Sequence, residues 1–164
     1  MLRTAADLMQ KNVITASAAM SLRDLALLLE EEGIHGLPVV DSAGDPIGVV
    51  SLTDLATAIT SETDQLTPKR PYYSVMDEEI DLDEGYSAPD VDVDVDLTVG
   101  DIMSTHIVKA GVDATAGELA KLMSEQRVHR VLITDGDRLV GIVSSTDVLS
   151  CTHEYEQALK KLSS

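Results

Sequence analysis

The segments Ser51-Leu52-Thr53-Asp54 and Ser144-Ser145-Thr146-Asp147 set a serine, a threonine and an aspartate in the same order twice in a chain of 164 residues. Each follows a glycine and two β-branched residues, Gly48-Val49-Val50 and Gly141-Ile142-Val143, so each stands where a strand is expected to give way to a helix. An aspartate at such a junction can accept two hydrogen bonds from a vicinal diol, the arrangement a ribose presents. The neighbouring hydroxyls and the unbonded N–H groups of a helix start can meet phosphate oxygens. The same residue types also serve as helix N-caps, a purely structural use. Met once, the pattern favours capping. Met twice, with matching glycines and hydroxyls, it favours ribose or phosphate contact in at least one copy.

The duplication extends beyond these segments. Asp7-Leu8-Met9 recurs as Asp101-Ile102-Met103, and His35 recurs as His129. The offset is 94 up to about residue 40 and 93 at the serine–threonine–aspartate block, because the first copy has one more turn residue. A repeat of this length predicts a pseudo-symmetric pair with its sites in the cleft between the copies. A copy of roughly 50 residues is marginal as an independent domain, so the two are expected to share a core. Met9 and Met103, duplicated among apolar neighbours, suit core or inter-repeat packing. His35 and His129, also duplicated, suit a structural or ligand-adjacent role, since no nucleophile–base arrangement surrounds them.

Both copies read as β-α-β-β-α, an α+β pattern. In the first, Ala5–Met9 is a short helical turn and Val13–Thr15 a short strand. Ser21 caps a helix whose apolar spacing runs from Leu22 to Leu29 and which Gly33 ends. Leu37–Val40 and Ile47–Val50 form a hairpin around the turn at residues 41–46, and Thr53 and Asp54 open a helix to Thr60. In the second, Ile107–Lys109 is the strand, and Thr115 with Glu118 forms a capping box for a helix reaching about Gln126. Val131–Thr134 and Leu139–Val143 flank the turn at Asp135–Asp137, and Thr146 and Asp147 begin the last helix. The expected organisation is repeat one at 1–60, an acidic insert at 61–97, repeat two at 98–150 and a C-terminal helix at 151–164.

The net charge is −17, and ten acids with no intervening base fall between Asp77 and Asp96. The rest of the chain carries about −7. This balance opposes general nucleic-acid binding and adhesion to an anionic membrane. No apolar run is long enough to cross a bilayer, the N-terminus lacks a signal-peptide pattern, and the single cysteine, Cys151, fits a reducing cytoplasm. The insert's prolines and acids read as linker. Its Asp92-Val93-Asp94-Val95-Asp96 run, if extended, sorts acids and valines onto opposite faces. It fails as a calcium loop, having Leu97 and Met103 where glycine and glutamate are required, so no metal site is expected. Phe and Trp are absent, and the repeats hold no aromatic residue. A planar ligand there must lie between aliphatic side chains.

The double arrangement of strand, turn, strand, Gly and Ser-x-Thr-Asp resembles the cystathionine-β-synthase (CBS) domain family, across most of the chain outside 61–97. The resemblance implies two CBS repeats packed as one module that binds adenosyl ligands (AMP, ADP, ATP or S-adenosylmethionine) in the clefts between them. It implies a regulatory rather than catalytic role, a disc-like homodimer, a regulated partner protein and no required cofactor. It assigns Asp54 and Asp147 to the ribose, and Ser51, Thr53, Ser144 and Thr146 to the phosphate side. Residues around Thr15 and Lys109 then line the adenine and phosphate region. Pro38 matches the family's second-strand proline, whereas Leu132 replaces it in repeat two. The copies differ in charge. Lys109, Arg127 and Arg130 stand where repeat one has Thr15, Gly33 and Gly36. Phosphate binding in an acidic chain needs local cations, so the cleft built mainly by repeat two is expected to hold the charged nucleotide. The other cleft is expected to take a less charged ligand or none. At a helix C-terminus, Arg127 and Arg130 also have an ordinary structural reading. The competing function is a scaffold that acts through its acidic linker.

Overall fold

The computed structural model describes residues 2–60 and 96–162. Most of the expected acidic insert, residues 61–95 with its alternating valines, lies outside the described residues. Asp96 and Leu97 are exposed and irregular. In chain order the elements are α1 (Ala5–Leu8), β1 (Ala16–Ser17), α2 (Leu22–Glu32), β2 (Gly36–Val40), β3 (Pro46–Ser51) and α3 (Leu52–Thr60). The second series is α4 (Val99–Ile102), β4 (Lys109–Gly111), α5 (Ala116–Gln126), β5 (Arg130–Asp135), β6 (Arg138–Ser144) and α6 (Ser145–Leu162). The expected α+β repeat is present twice. Each copy has a three-stranded sheet, β1-β2-β3 or β4-β5-β6, with a parallel first pair and an antiparallel second pair. Both hairpins carry a bulge near the turn, between Val39 and Val40 and between Ile133 and Thr134.

The first strand of each copy corrects the sequence expectation. It lies not at Val13–Thr15 and Ile107–Lys109 but two or three residues later, at Ala16–Ser17 and Lys109–Gly111. Partner availability, rather than β-branched content, decides where pairing occurs. In the second copy the Leu132 N–H donates to the Val108 carbonyl at 3.0 Å, and the ladder runs from Lys109 opposite Leu132. In the first copy the matching middle-strand residue is Pro38, which has no N–H to give. The ladder there begins one step later, with Ala16 opposite Val39, and β1 is one residue shorter than β4.

The helices follow their caps. Ser21 Oγ accepts from the Asp24 N–H at 3.1 Å and Gly33 closes α2 in the left-handed region, φ 61°. Thr115 and Glu118 form the expected capping box on α5, and Arg127 closes it at φ 53°, the only non-glycine residue with positive φ among those described. The last helix, α6, runs unbroken for 18 residues. Leu22, Leu25 and Leu29 of α2 are buried with Leu37, Val39 and Val50 of the first sheet. In the second copy Leu119 and Met123 of α5, and Val131, Leu132, Ile133 and Val143 of the sheet, are likewise buried.

The described chain divides into two compact units, Met1–Val13 with Val108–Ser164, and Ile14–Ile107. Neither sheet is therefore completed by its own repeat alone. The segment that leads into repeat one joins the sheet of repeat two: Gln10 and Ile142 exchange backbone hydrogen bonds at 2.9 and 3.1 Å, and the Ala5 N–H donates to the Ala114 carbonyl at 2.7 Å. The segment that leads into repeat two joins the sheet of repeat one. There Val49 and Ser104 exchange bonds at 2.9 and 2.8 Å, and the Val99 N–H donates to the Met20 carbonyl at 2.9 Å. Met9 and Met103 lie over the strand glycines of these sheets. A Cβ on Gly48 would sit 2.6 Å from Met103 Sδ and 2.8 Å from the Ser104 carbonyl, and one on Gly141 would collide with Met9 Sδ. The duplicated Met and Gly are thus one packing contact used in each unit.

A second shared device is a carboxylate three residues after a threonine. Asp7 Oδ2 accepts from the Thr4 N–H and hydroxyl at 2.9 and 3.1 Å, Asp101 Oδ2 from Thr98 at 2.7 and 2.8 Å, and Glu118 Oε2 from Thr115 at 2.8 and 2.9 Å. In each case the threonine backbone N–H, and secondarily its hydroxyl, holds the carboxyl below its ordinary pKa. A carboxyl that binds its proton less readily in the folded chain adds stability that is complete above the unfolded pKa and is lost as pH falls through the folded one.

Two outcomes follow from this packing and these bonds. Gly141→Ala should lower stability in urea denaturation by about 1–3 kcal/mol, the usual cost of overpacking. Met9→Ala in the same chain removes the Sδ and Cγ encounters, so the double variant should lose less than the sum of the two single losses. Separately, the stability margin of the wild type over Asp101→Asn should be constant above about pH 5 and shrink below about pH 4, the ordinary carboxylate range. Urea midpoints measured from pH 7 to pH 3 check this.

Candidate functional site

The serine–threonine–aspartate blocks sit where the sequence places them, at the change from β3 to α3 and from β6 to α6. Asp147 Oδ2 accepts from the Ser144 N–H at 2.8 Å and from the Ser144 hydroxyl at 2.6 Å, while the Asp147 N–H donates to Ser144 Oγ at 3.2 Å. Asp54 Oδ2 holds Ser51 in the same way, with bonds of 2.8, 2.9 and 3.3 Å. Each block is thus a capping box, and the structural reading of the motif holds as far as these bonds go.

Capping does not exhaust the site. The bonds to Asp147 converge on Oδ2, and Oδ1 takes no hydrogen bond among the described residues. The half-buried carboxylate is thereby held in one rotamer with a second oxygen to offer, the pre-organisation that recognition of a diol needs. The serine and threonine have different duties, which sequence spacing alone does not separate. The hydroxyls of Ser51 and Ser144 are consumed in the box, and Ser51 is buried. Thr53 is half-buried and Thr146 exposed, and neither side chain is hydrogen-bonded to a described residue.

The backbone carbonyl of each histidine braces the junction. The Leu52 N–H donates to the His35 carbonyl and the Ser145 N–H to the His129 carbonyl, both at 2.8 Å, extending each hairpin ladder to the first residue of the helix. Both histidines are exposed. The sequence signal for this contact was the duplication of position, which says nothing of which atom is used.

Strand register gathers the cations of repeat two beside its block. Arg130 lies opposite Ser144 in the β5–β6 ladder. Lys109 lies opposite Leu132, two residues beyond Arg130 on the same strand. Partners across a ladder share a face, and so do residues two apart on a strand, so Lys109, Arg130 and Ser144 belong to one face. Arg130 is half-buried and Lys109 exposed, and neither side chain has an ion-pair or hydrogen-bond partner among the described residues. Arg127, at the end of α5, is exposed. In the other unit the residue opposite Ser51 is Gly36, and Thr15 precedes β1, half-buried. Among the described residues no group of three or more His, Cys, Asp or Glu side chains is placed to hold a metal, and no helix is long and apolar enough to cross a membrane.

Comparison with known proteins accounts for this architecture. The model of the CBS domain family matches residues 5–61 and again 99–154. The uncharacterized protein MJ1404 of Methanocaldococcus jannaschii is 28% identical over 94% of this chain, which spans only 32% of that protein's length. Among solved structures, the CBS domain pair of protein MJ0100 in complex with 5′-methylthioadenosine and S-adenosylmethionine superposes with a TM-score of 0.64 at 22% identity, covering 94% of this chain and 99% of that one. CBSX2 in complex with AMP gives 0.63 at 22% identity, covering 93% and 98%. With the family matched over each of its two repeats, and with the fold of solved CBS pairs, this chain belongs to the CBS domain family as a tandem pair.

Proposed function

We propose that this tandem pair is a regulatory sensor that binds adenosine-based ligands, AMP, ADP, ATP or S-adenosylmethionine, and passes their presence to a partner protein. It acts as a binding module and not as an enzyme. The observation that carries the reading is the duplicated block in which a serine pins the aspartate through Oδ2 while the threonine hydroxyl stays outside the box. Asp147 Oδ1 is the acceptor for the ribose diol, and Asp54 serves the same role in its own repeat. Thr53 and Thr146 are the hydroxyl donors on the phosphate side, with Ser51 and Ser144 positioning the aspartates. Lys109 and Arg130 supply charge beside Asp147, and Thr15, His35 and His129 lie at the margins. The adenosyl compounds in the MJ0100 and CBSX2 structures support the ligand class. The longer MJ1404 supports a module that works as one part of a larger assembly. Homodimerisation and a cytoplasmic setting complete the reading.

Thermal melting of the chain with each adenosyl compound at millimolar concentration tests it. A ligand at a hundredfold excess over its dissociation constant should add about 2.7 kcal/mol to stability. The shift for AMP should be lost in Asp147→Ala. No shift with any of these compounds, together with loss of a partner on deleting 77–96, would replace this reading with a scaffold acting through the acidic segment.

A further inference from the structure

Resting on the sensor reading, we infer that Arg3 is a positioning residue for the Asp147 site. It latches an N-terminal strap onto α6, and the closing of that latch is coupled to the ligand.

The strap is residues 3–10, and it brackets the Asp147 block from both sides. At one end Gln10 exchanges backbone hydrogen bonds with Ile142, two residues before Ser144. At the other end Arg3 reaches α6 about two turns after Asp147. Its Nε donates to Glu154 Oε2 and its Nη2 to Glu154 Oε1, both at 3.0 Å, and its backbone N–H donates to the Tyr155 hydroxyl at 2.8 Å. Asp147 and Glu154 are seven residues apart, so the two carboxylates belong to one face of the helix. The Arg3 carbonyl accepts from the Ala116 N–H at 2.9 Å, so the residue that holds α6 is itself fixed to the start of α5.

The Arg3 and Glu154 side chains are 46% and 55% exposed, and a single exposed ion pair contributes little. Here the guanidinium meets the carboxylate as a fork, the geometry that holds best, and the Tyr155 bond adds a third contact from the same residue. What the latch holds is a helix end with little else to fix it. Cys151 is the last buried residue of α6, and residues 156–162 are all exposed. Helical turns without a packed face are marginal in water. The end of α6 therefore depends on the Arg3 latch and on the Glu156–Lys160 pair at 3.0 Å. A helix forms cooperatively, and Asp147 fixes its start while Arg3 fixes it two turns on. A ligand that tightens the start favours the latched end, and the latch favours the ligand by the same factor. This ion pair has no counterpart at the matching positions of the first repeat, where Leu97 and Ser61 stand.

Amide hydrogen exchange of the full chain and isothermal titration with AMP test the inference together. Without ligand, Arg3→Ala should speed exchange severalfold in residues 152–162 and leave the sheet of β4, β5 and β6 protected, which also shows that the variant folds. In the wild type AMP should slow exchange across 152–162, and Asp147→Ala should abolish that slowing. Arg3→Ala and Glu154→Arg should each weaken AMP about twofold to fivefold, the range of one exposed ion pair. The reversed pair, Arg3→Glu with Glu154→Arg, should recover most of that loss, a rescue that general loosening of the helix does not give. Wild-type AMP affinity in Arg3→Ala, or AMP binding that leaves exchange in 152–162 unchanged, overturns this inference and keeps the sensor. Failure of the wild type to bind AMP overturns it as well, and failure to bind AMP, ADP, ATP and S-adenosylmethionine alike overturns the sensor reading itself.

Discussion

The interaction on which the structure most depends is a carboxylate accepting the backbone N–H of a serine or threonine three residues earlier. It starts α1, α4 and α5, and it starts α3 and α6 at the ends of the two hairpins. The first N–H groups of a helix have no partner within it, so every helix start needs an acceptor from outside. This chain meets that need at these five starts with the same short pattern. At α3 and α6 the pattern has a further consequence. Fixing one carboxylate oxygen fixes the direction of the other, and a group made rigid by the fold recognises a ligand at lower entropic cost. In the proposed function, capping and binding, which look like rival readings of one motif, are uses of the two oxygens of Asp147.

The fold is held by a second constraint, the close fit of a methionine over a strand glycine. Gly48 and Gly141 leave the sheet surface open so that Met103 and Met9 can lie against it. Because each methionine comes from the segment leading into the opposite repeat, each compact unit draws on both repeats. The duplicated residues of the lead-in segments, Asp7 and Asp101, then have a clear purpose. They cap the short helices that carry those methionines to their glycines.

Much of this was legible in the residues. Periodicity and punctuation located the hairpins, and Ser21, Gly33, Thr115 and Glu118 marked helix ends that the structure keeps. The first strands were misplaced because the β-branched runs Val13–Thr15 and Ile107–Val108 look more strand-like than Ala16-Ser17 does. Pairing depends on which middle-strand N–H groups are present, and Pro38 removes one. The exchange of lead-in segments was not legible, since a repeat in sequence does not say which copy packs on which sheet. At the site, the residue types were visible but their division of labour was not. That Ser51 and Ser144 are spent on the aspartates is a matter of rotamers and distances. That the histidine carbonyls accept the first N–H of each following helix is invisible in side-chain identity. The cations beside Asp147 were visible as an imbalance between copies, and only strand register placed two of them on the face of Ser144.

The central claim is that one aspartate oxygen belongs to the fold and the other to the ligand. A crystal structure of the chain soaked or grown with AMP tests it most directly. The account predicts the ribose hydroxyls on Asp147 Oδ1, with Oδ2 still accepting from the Ser144 N–H and hydroxyl and the helix start unchanged. Nucleotide bound elsewhere, or an Asp147 side chain that must leave Ser144 to reach the ribose, would contradict it.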